Sequence, residues 1–550
     1  MLMFTDYVEK IHSAILKEIP DFSMSELVVG QPGHGDISAR LIRYLIKKEN
    51  SLIISERISK DIKNLDFVQD ATLENNYLNI RIRPSFIFNA IKETIDATGA
   101  FPDVFQDPER VSVEHTSTNP TGPLHIGRAR NSVIGDSLAR LKKRVGYRVT
   151  TQYYVNDSGK QMMSLYLGYE KFHKGEKPTV ELLLDGYIKT YKYFEEVGSE
   201  KEVEDLMERY ERNDADLISS VRKIAAIMLD GISRDLSTIG IKVDDYTWES
   251  AFMITGETGV VMQKLSPYLH DEDGAKYVDI PGLRKVFVQR GNGTSLYVTR
   301  DIAYHMYKFS QYDQCMVVLG EDHKEHTKSL AYIMKELLGY NNELSFVFYA
   351  YVNLESGKMS TRQGNSIPMI SVYERLREKS LEELKKRYGE EADPSTADKM
   401  ASSSFRYHLL KYNPSKPITF RWEDALDFNG ETALFIMYSM VRASSILKKV
   451  ETSVNEISME GISESEKELL LNLYLYPYRL TEASRNSKPE IIANYAYQLA
   501  SKFTTFYEST KISEQPESIK KRQLDLQICK RNHCDPIIER SVRKCDNPWI

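Results

Sequence analysis

The chain has 550 residues, a formal net charge of −6, and 41% hydrophobic against 28% charged residues. A chain of this length is too long for a single hydrophobic core, so we expect roughly two to four domains. The negative charge excludes a protein that coats nucleic acid through bulk charge. A local basic face stays compatible with it, because electrostatic steering depends on where the charges lie.

Cysteine is rare, with four residues in the chain, which excludes a disulfide scaffold and favours a reducing compartment. The chain lacks an apolar run of about 18 residues and a signal-peptide pattern, so we expect a cytoplasmic protein without a membrane span. Cys529, Cys534 and Cys545 lie near His533, but their spacing matches no usual zinc pattern. We therefore expect free thiols and no metal site.

Residues 1–102 are predicted to form a small α+β domain. Apolar residues follow helical spacing over 7–19 and 39–48, and alternation over 77–82 predicts a strand. The stretch 99–108 contains the Gly, Pro and polar residues that are typical of a linker.

Residues 103–425 begin with a strand over 111–113, a loop, a helical pattern from 126 to 145 and a β-rich stretch over 147–155. This order is a βαβ unit and predicts an α/β domain with a Rossmann-type parallel sheet. Further strands are predicted at 285–289, 315–319 and 346–354.

The rest of the chain is predicted to be largely helical. Residues 165–285 read as a charged helical insertion, 356–425 as a loop followed by helices, and 426–550 as an all-α domain. Within it, 433–450 is apolar nearly all round and predicts a buried helix. A second helix has one apolar face, made of Ile491, Tyr495, Leu499, Phe503 and Phe506.

Two loops carry the residues that point to chemistry. In the first, Pro123 stiffens the chain and His125 and Gly127 stand at a helix start, whose free N–H groups suit phosphate. In the second, 357–368, Lys358 and Arg362 are placed to clamp a triphosphate. Taken alone, the first loop is also explained by a loop histidine that has no function. The second loop, taken alone, is also explained by a basic turn in solvent. The chain has neither a Walker A motif nor GxGxxG.

Taken together, these loops resemble the two signatures of class I aminoacyl-tRNA synthetases: 125–128 (HIGR) resembles HIGH, and 358–361 (KMST) resembles KMSKS. Five stretches are similar to arginyl-tRNA synthetases, most nearly the archaeal type: VEHTSTNPTGPLHIGRARN, YYVNDSGKQ, SLYVTRDIAYH, KMSTRQGN and DALDFNGETA. The resemblance runs from about residue 25 to about residue 520.

The resemblance implies that ATP and Mg²⁺ activate L-arginine to arginyl-adenylate, and that the arginine then passes to the 3′ end of tRNA(Arg). It also implies a monomer with no tightly bound cofactor. The implied catalytic residues are His125, Lys358, Ser360 and Arg362. The implied ATP-binding residues are Pro123, His125, Gly127, Arg128, Gly320, Asp322, His323 and Met359.

A guanidinium substrate needs carboxylates and other planar acceptors. By resemblance, the arginine-binding residues are Glu114, Asn119, Asp157, Gln161, Tyr297 and Asp301. Tyr297 and Asp301 are spaced to share one helix face. The alternative for Asp301 is a carboxylate that balances the dipole at a helix N-terminus.

The resemblance also implies tRNA contacts in both terminal domains. The C-terminal domain resembles the anticodon-binding domain, with Tyr438, Arg442 and Tyr507 as candidate contacts, whereas Phe503 and Phe506 are expected in the helix core. The N-terminal domain resembles the one that touches the tRNA elbow. There Asn79 either reads a base or is a structural asparagine at a strand turn.

Some residues depart from the family pattern. Arg128 replaces the last His of the first signature, Thr361 the last Lys of the second, and Leu434 and Met437 a common Pro and Gln. After about Leu526 the chain loses its helical period. A shifted reading frame is one hypothesis for this atypical tail, and an unshifted frame on resequencing would exclude it.

Three other functions stay open at this point. They are a class I synthetase for cysteine or glutamine, a tRNA-binding paralogue without catalysis, and a small-molecule nucleotidyltransferase. His125, Lys358 and Asp301 argue against the second, and the helical C-terminal domain argues against the third.

Overall fold

A computed structural model shows the fold. It describes residues 2–23, 26–29, 34–45, 50–74, 77–96, 108–354, 367–421, 430–450 and 457–533. The predicted site residues Lys358, Met359, Ser360 and Arg362 lie outside these ranges, as do Cys534 and Cys545. Within them, no helix is both long enough and apolar enough to cross a membrane.

The N-terminal unit is a four-stranded antiparallel sheet with helices against it, in the order β1-β2-β4-β3. Its elements are α1 (Leu2–Leu16), β1 (Leu27–Val29), β2 (Ile37–Arg40), α2 (Ile42–Leu45), α3 (Ser51–Lys63), β3 (Val68–Glu74), β4 (Tyr77–Ile82) and α4 (Pro84–Asp96). The helix predicted over 39–48 is wrong in its first part. Ala39 is buried in β2, where it pairs with Leu27 and Leu78, because pairing on both sides outweighs local helix propensity.

The middle of the chain forms a five-stranded, wholly parallel sheet in the order β12-β11-β5-β6-β7. Its strands are β5 (Arg110–Glu114), β6 (Arg148–Val155), β7 (Asp245–Trp248), β11 (Gln314–Gly320) and β12 (Glu343–Tyr349). The helix α5 (Ile126–Arg144) crosses from β5 to β6. The predicted Rossmann-type sheet is confirmed, and its strand order reverses between β5 and β11.

The segment predicted as a helical insertion contains more than helices. Four helices come first: α6 (Gly159–Phe172), α7 (Val180–Val197), α8 (Lys201–Glu211) and α9 (Ala215–Thr238). The chain then supplies β7 to the main sheet and forms a separate antiparallel sheet from β8 (Leu269–Glu272), β9 (Ala275–Val278) and β10 (Val286–Gln289). Between and after these strands lie α10 (Glu249–Ile254), α11 (Glu257–Leu265), α12 (Tyr297–Gln311) and α13 (Lys324–Tyr332). The strand predicted over 285–289 is present as β10, whereas β7, β8 and β9 were missed because four residues carry too little periodicity.

A two-stranded parallel unit and helices complete the described chain. They are β13 (Val352–Leu354), α14 (Met369–Tyr388), α15 (Pro394–Leu410), β14 (Ile418–Phe420), α16 (Ala433–Lys449), α17 (Glu464–Tyr474), α18 (Tyr476–Arg485), α19 (Glu490–Ser509) and α20 (Glu517–His533). The C-terminal domain is helical as predicted, with Phe503 and Phe506 fully buried.

Two predictions about this domain are wrong in detail. The helix α16 is not buried all round, since Tyr438 is 46% exposed. The helical period was expected to end near Leu526, but α20 continues to His533.

Candidate active site

The crevice between β5 and β11 is where ligands bind in open parallel sheets, at the carboxyl ends of the strands. Glu114 is the last residue of β5 and Gly320 the last of β11, so two predicted site residues stand at the strand ends that border this crevice. The first signature follows β5, and α12 and α13 lie on either side of β11 in the chain.

His125 caps the N-terminus of α5. Its Nδ1 accepts a hydrogen bond from the backbone N–H of Arg128 at 3.3 Å. Burial, with the nearby Arg128 guanidinium, lowers the pKa of His125 to about 4, so the ring is neutral near pH 7. Since Nδ1 is the acceptor, the proton of the neutral ring is on Nε2, which is left to donate to a ligand.

Arg128, which replaces the last histidine of the signature, is hydrogen-bonded to the loop before the helix. Its Nη1 donates to Thr118 Oγ1 at 2.6 Å, across the turn that precedes the helix. The residue is exposed, and its positive charge helps to lower the pKa of His125. An arginine therefore keeps a cation at this position while bracing the loop.

The chain returns to the first signature directly before α14. The N–H of Ile126 donates to the carbonyl of Ile367 at 3.1 Å, and the N–H of Met369 donates to the carbonyl of Leu124 at 2.7 Å. A β-bridge joins His125 to Pro368 between them. The residues that follow the second signature are thus bonded to the histidine-bearing turn.

Arg130 attaches α5 to the segments next to β13 and β14. Its guanidinium is fully buried and donates to the carbonyls of Ala350 at 2.7 Å, Lys416 at 2.8 Å and Asn413 at 3.1 Å. Burial lowers the pKa of Arg130 to about 10, which still leaves it charged at neutral pH. A buried cation that satisfies three carbonyls fixes the geometry of this side of the crevice.

Asp301 lies in the second turn of α12 and is held by two histidines. His326 Nε2 is 2.6 Å from Oδ2, and His305 Nδ1 is 3.1 Å from Oδ1. Burial alone would raise the pKa of Asp301, but the two histidines lower it below its ordinary value. The carboxylate is 7% exposed and is not in the first turn, so the dipole-balancing alternative does not describe it.

Tyr297 is the first residue of α12, one turn before Asp301. Its ring centroid lies 5.5 Å from that of His326, so Tyr297, Asp301 and His326 form one group. Tyr297 is 40% exposed as a whole residue, but burial, together with the Asp301 carboxylate, raises the pKa of its hydroxyl.

The carboxylate of Glu114 already has two partners inside the protein. Its Oε2 lies 2.8 Å from Nζ of Lys308, a fully buried residue of α12, and its Oε1 accepts from Ser117 Oγ at 3.1 Å. A buried pair of this kind fixes position more than it adds stability, because desolvation offsets much of the attraction. Glu114 therefore braces the strand end.

Asn119 and Gln161 are brought together, as predicted. The Asn119 amide donates to Gln161 Oε1 at 2.8 Å and so links the loop to α6. Asp157 is fully buried and accepts from the N–H of Ser250 at 2.9 Å and from Tyr210 at 3.2 Å, with Arg222 Nε 3.3 Å away. Its contribution to arginine binding stays a prediction, since a ligand would compete with these bonds.

Glu249 and Arg300 were missed by the sequence analysis. Glu249 is fully buried at the carboxyl end of β7, and Arg300 Nε donates to it at 2.5 Å. The amide of Asn156, in its satisfied orientation, donates to Glu249 Oε2 at 2.9 Å. Burial raises the pKa of Glu249, and Arg300 opposes that shift. The signal available in the sequence was an acidic residue directly after a short aromatic strand.

Two parts of this chain match models of known protein families. A family model described as tRNA synthetases class I (R), catalytic domain, matches residues 99–422, and one described as DALR anticodon binding domain matches residues 436–532. The arginine–tRNA ligase of Thermoplasma acidophilum is 42% identical over 93% of this chain and 93% of its own length. This chain belongs to the arginyl-tRNA synthetase family.

Other relatives agree with this membership. The arginine–tRNA ligase of Archaeoglobus fulgidus is 32% identical over 95% of each chain. The arginyl-tRNA synthetase structure from Thermus thermophilus has a TM-score of 0.84 at 22% identity, covering 98% of this chain and 99% of that one. The one from Plasmodium falciparum has a TM-score of 0.82 at 20% identity, covering 98% and 97%. These two structural likenesses show the fold.

In this family member the three predicted tRNA contacts of the C-terminal domain lie side by side. The guanidinium carbon of Arg442 is 4.4 Å from the ring centroid of Tyr438 and 5.2 Å from that of Tyr507. That of Arg387, from α14, is 5.7 Å from Tyr438. Tyr438 and Tyr507 are both exposed, whereas Arg442 is half-buried against their rings, with its Nη1 4.0 Å from Glu508 Oε1.

Asn79 lies within β4 and not at a strand turn. Its side chain is buried, with Oδ1 accepting from Ser38 Oγ at 2.8 Å and Nδ2 donating to Glu74 Oε2 at 3.5 Å. Reading a base with this amide would need these bonds to open. Its tRNA contact stays a prediction.

The remaining predicted residues of the nucleotide side follow β11. Asp322 is exposed and His323 half-buried in a short 3₁₀ turn, and the Asp322 carboxylate folds back to within 2.5 Å of the position that a Cβ at Gly320 would take. Among the described residues, no group of three or more His, Cys, Asp or Glu side chains is arranged to hold a metal ion.

Proposed function

We propose that this chain is an arginine–tRNA ligase, which activates L-arginine with ATP and transfers it to the 3′ end of tRNA(Arg). The observation that carries the proposal is that one crevice combines a helix N-terminus bearing a neutral histidine with a buried, ionised carboxylate. The first suits phosphate and the second suits a guanidinium. The family membership supports the same substrates.

On the nucleotide side, His125 donates its Nε2–H to a phosphate oxygen of ATP. The first-turn N–H groups of α5 add their partial positive charge, and Arg128 adds a full one. Together they stabilise the charge that develops when the arginine carboxylate attacks the α-phosphate and pyrophosphate leaves. Mg²⁺ enters with ATP as part of the substrate, bound mostly by phosphates and water.

On the amino-acid side, Asp301 and Tyr297 receive the guanidinium, while Asn119 with Gln161 places the amino end. His326 and His305 hold the Asp301 carboxylate in position. Glu249 adds negative potential next to this pocket, because it is one of the charges that act on Tyr297. This negative pocket favours a cationic side chain, because a neutral amino acid would forgo the charge-assisted bond to Asp301.

The tRNA lies along the side of the molecule that carries Tyr438, Arg442 and Tyr507. Exposed aromatic rings next to a guanidinium suit unpaired bases and phosphates. The N-terminal domain packs on the same helical domain, where the ring of Tyr7 lies 6.4 Å from that of Tyr474. A second tRNA contact from the N-terminal domain, and a monomeric enzyme, are parts of the proposal.

The test is aminoacylation of cognate tRNA with each standard amino acid in turn, followed by arginine-dependent pyrophosphate exchange with and without tRNA. We expect charging with arginine alone and exchange that requires tRNA. Charging with cysteine or glutamine but not arginine would assign the chain to another class I specificity. tRNA binding without any charging would identify a paralogue that has lost catalysis.

A further inference from the structure

The turn that follows β5 has a backbone conformation that L-residues rarely adopt. Thr116 has a φ of 68° and Ser117 a φ of 31°. A β-branched residue in the left-handed region is strained and persists only where its surroundings over-determine it. Groups outside the turn must therefore hold Thr116 in place.

Asn131, in the second turn of α5, makes the bond that holds it. Its Oδ1 accepts from the backbone N–H of Thr116 at 2.6 Å, and its Nδ2 donates to the carbonyl of Val318 on β11 at 2.7 Å. The residue is 5% exposed, so both bonds are shielded from water. One side chain thus joins α5, the strained turn and β11 at the point where the strand order reverses.

The neighbouring residues of α5 fit the same turn. Thr116 Oγ1 donates to Ser132 Oγ at 2.8 Å and, since its proton is used there, accepts from His115 Nδ1 at 2.9 Å. A Cβ at Gly135 would lie 2.1 Å from the Cβ of His115, so the helix backbone runs directly against the turn. The helix face that holds the turn consists of Asn131, Ser132 and Gly135.

The turn lies between Glu114, which braces the end of β5, and Asn119, which places the amino end of arginine in the proposed function. Ser117 Oγ donates to Glu114 Oε1 at 3.1 Å and accepts from the N–H of Tyr154 at 3.0 Å. The next residue, Thr118, accepts from the Tyr153 hydroxyl through its carbonyl at 2.6 Å. If Thr116 relaxed out of the left-handed region, Glu114 and Asn119 would both shift.

We propose that Asn131 is a positioning residue of the aminoacylation site, and that it holds Thr116 in its strained conformation so that Glu114 braces the strand end and Asn119 is set for arginine. The role rests on the proposed function, because it names the arginine end of the crevice. Asn131 acts through the turn and contacts no substrate. Displacements of about 1 Å in such a turn cost on the order of 100-fold in rate.

The experiment is a double-mutant cycle on the full-length enzyme with its cognate tRNA. The variants are Asn131→Ala, Thr116→Gly and the pair, and the measurements are kcat and the KM values for arginine and ATP, well below each melting temperature. We expect Asn131→Ala to lower kcat/KM for arginine about 10- to 100-fold, and to change the ATP KM less. Glycine adopts the Thr116 conformation without strain, so in the Thr116→Gly background the same substitution should cost at least about 5-fold less.

The matched control is Val133→Ala, which removes a fully buried side chain of the same helix. It should lower the melting temperature but leave both KM values within about 2-fold. An equal loss from Asn131→Ala in the wild-type and Thr116→Gly backgrounds would overturn the proposal. So would equal kinetic losses from Val133→Ala at a matched fall in melting temperature.

A substitute variant and the activity of the wild-type enzyme complete the test. If Asn131→Ala does not fold, Asn131→Leu replaces it in the cycle, because leucine fills a similar volume and also removes the acceptor for the Thr116 N–H. The same coupling is expected, and its absence overturns the proposal. Failure of the wild-type enzyme to charge arginine would instead refute the proposed function, so the two failures are distinguishable.

Discussion

At the scale of single residues, Asp301 is the carboxylate that we propose receives the guanidinium of arginine. Removing its carboxylate in Asp301→Ala deletes a charge-assisted bond to the guanidinium, worth about 1.5–3 kcal/mol. We expect the arginine KM to rise by roughly 10- to 100-fold while the ATP KM changes by less than about 3-fold. Steady-state aminoacylation at varied arginine and ATP measures both.

A matched control for Asp301 is Asp398→Asn, which removes a half-exposed carboxylate paired with Arg377 on α14. Both KM values should stay near those of the wild type, because exposed ion pairs contribute little. Equal increases in the two KM values of Asp301→Ala would remove Asp301 from the arginine pocket.

His115 makes stability depend on pH. Burial lowers its pKa to about 4, from 6.5 in a solvated chain, so the folded protein holds a neutral ring that the unfolded chain protonates first. Its contribution is present above pH 6.5 and is lost as the pH falls toward 4. Between pH 7 and pH 5 the free energy of unfolding falls by about 2 kcal/mol because of this residue.

Urea unfolding of wild type and His115→Gln at pH 7 and pH 5 measures this contribution. The wild type should lose about 2 kcal/mol more stability on acidification than the variant, because the variant has no proton to bind at this position. Identical losses in the two proteins would show that the ring of His115 is not kept neutral by the fold.

At the scale of elements, the close approach of α5 to the turn after β5 makes Gly135 irreplaceable. In an ordinary helix, Gly→Ala stabilises by about 1 kcal/mol. Here the new Cβ would lie 2.1 Å from that of His115, so Gly135→Ala should destabilise by about 1–3 kcal/mol and displace the turn. The thermal unfolding midpoint and kcat should both fall.

The control for Gly135 is Gly259→Ala in α11, where an added Cβ meets nothing within 4 Å. This variant should gain stability, since helix propensity is then the dominant effect. A gain in both variants would contradict the packing of α5 against His115.

Elements whose hydrophobic pattern repeats over many residues were predictable from the sequence. The βαβ unit around α5 and the apolar face of α19 repeat over many residues, and both are as predicted. Ala39 was misassigned because its burial comes from strands distant in the chain. In the same way, His326 and Glu249 reach the crevice through tertiary packing, which no local spacing encodes.

At the scale of the whole molecule, the catalytic domain alone does not account for tRNA recognition. The group formed by Tyr438, Arg442 and Tyr507 lies on the C-terminal helices, and Arg387 reaches it from α14. The chain has a net charge of −6, so a polyanion must be attracted by such local cations and not by the overall field. The charge of Arg442 should therefore matter more than its modest share of the surface suggests.

Arg442→Met keeps a long apolar side chain on the two rings and removes the guanidinium. We expect the tRNA KM to rise by roughly 5- to 20-fold and the slope of log affinity against log salt to fall by about 1, while the arginine and ATP KM values stay unchanged. Arg234→Met, which removes an exposed cation paired with Asp230 on α9, is the control and should leave the tRNA KM near wild type. If the two variants weaken tRNA binding equally, the cations act only through bulk charge, and this aromatic group is not a tRNA contact.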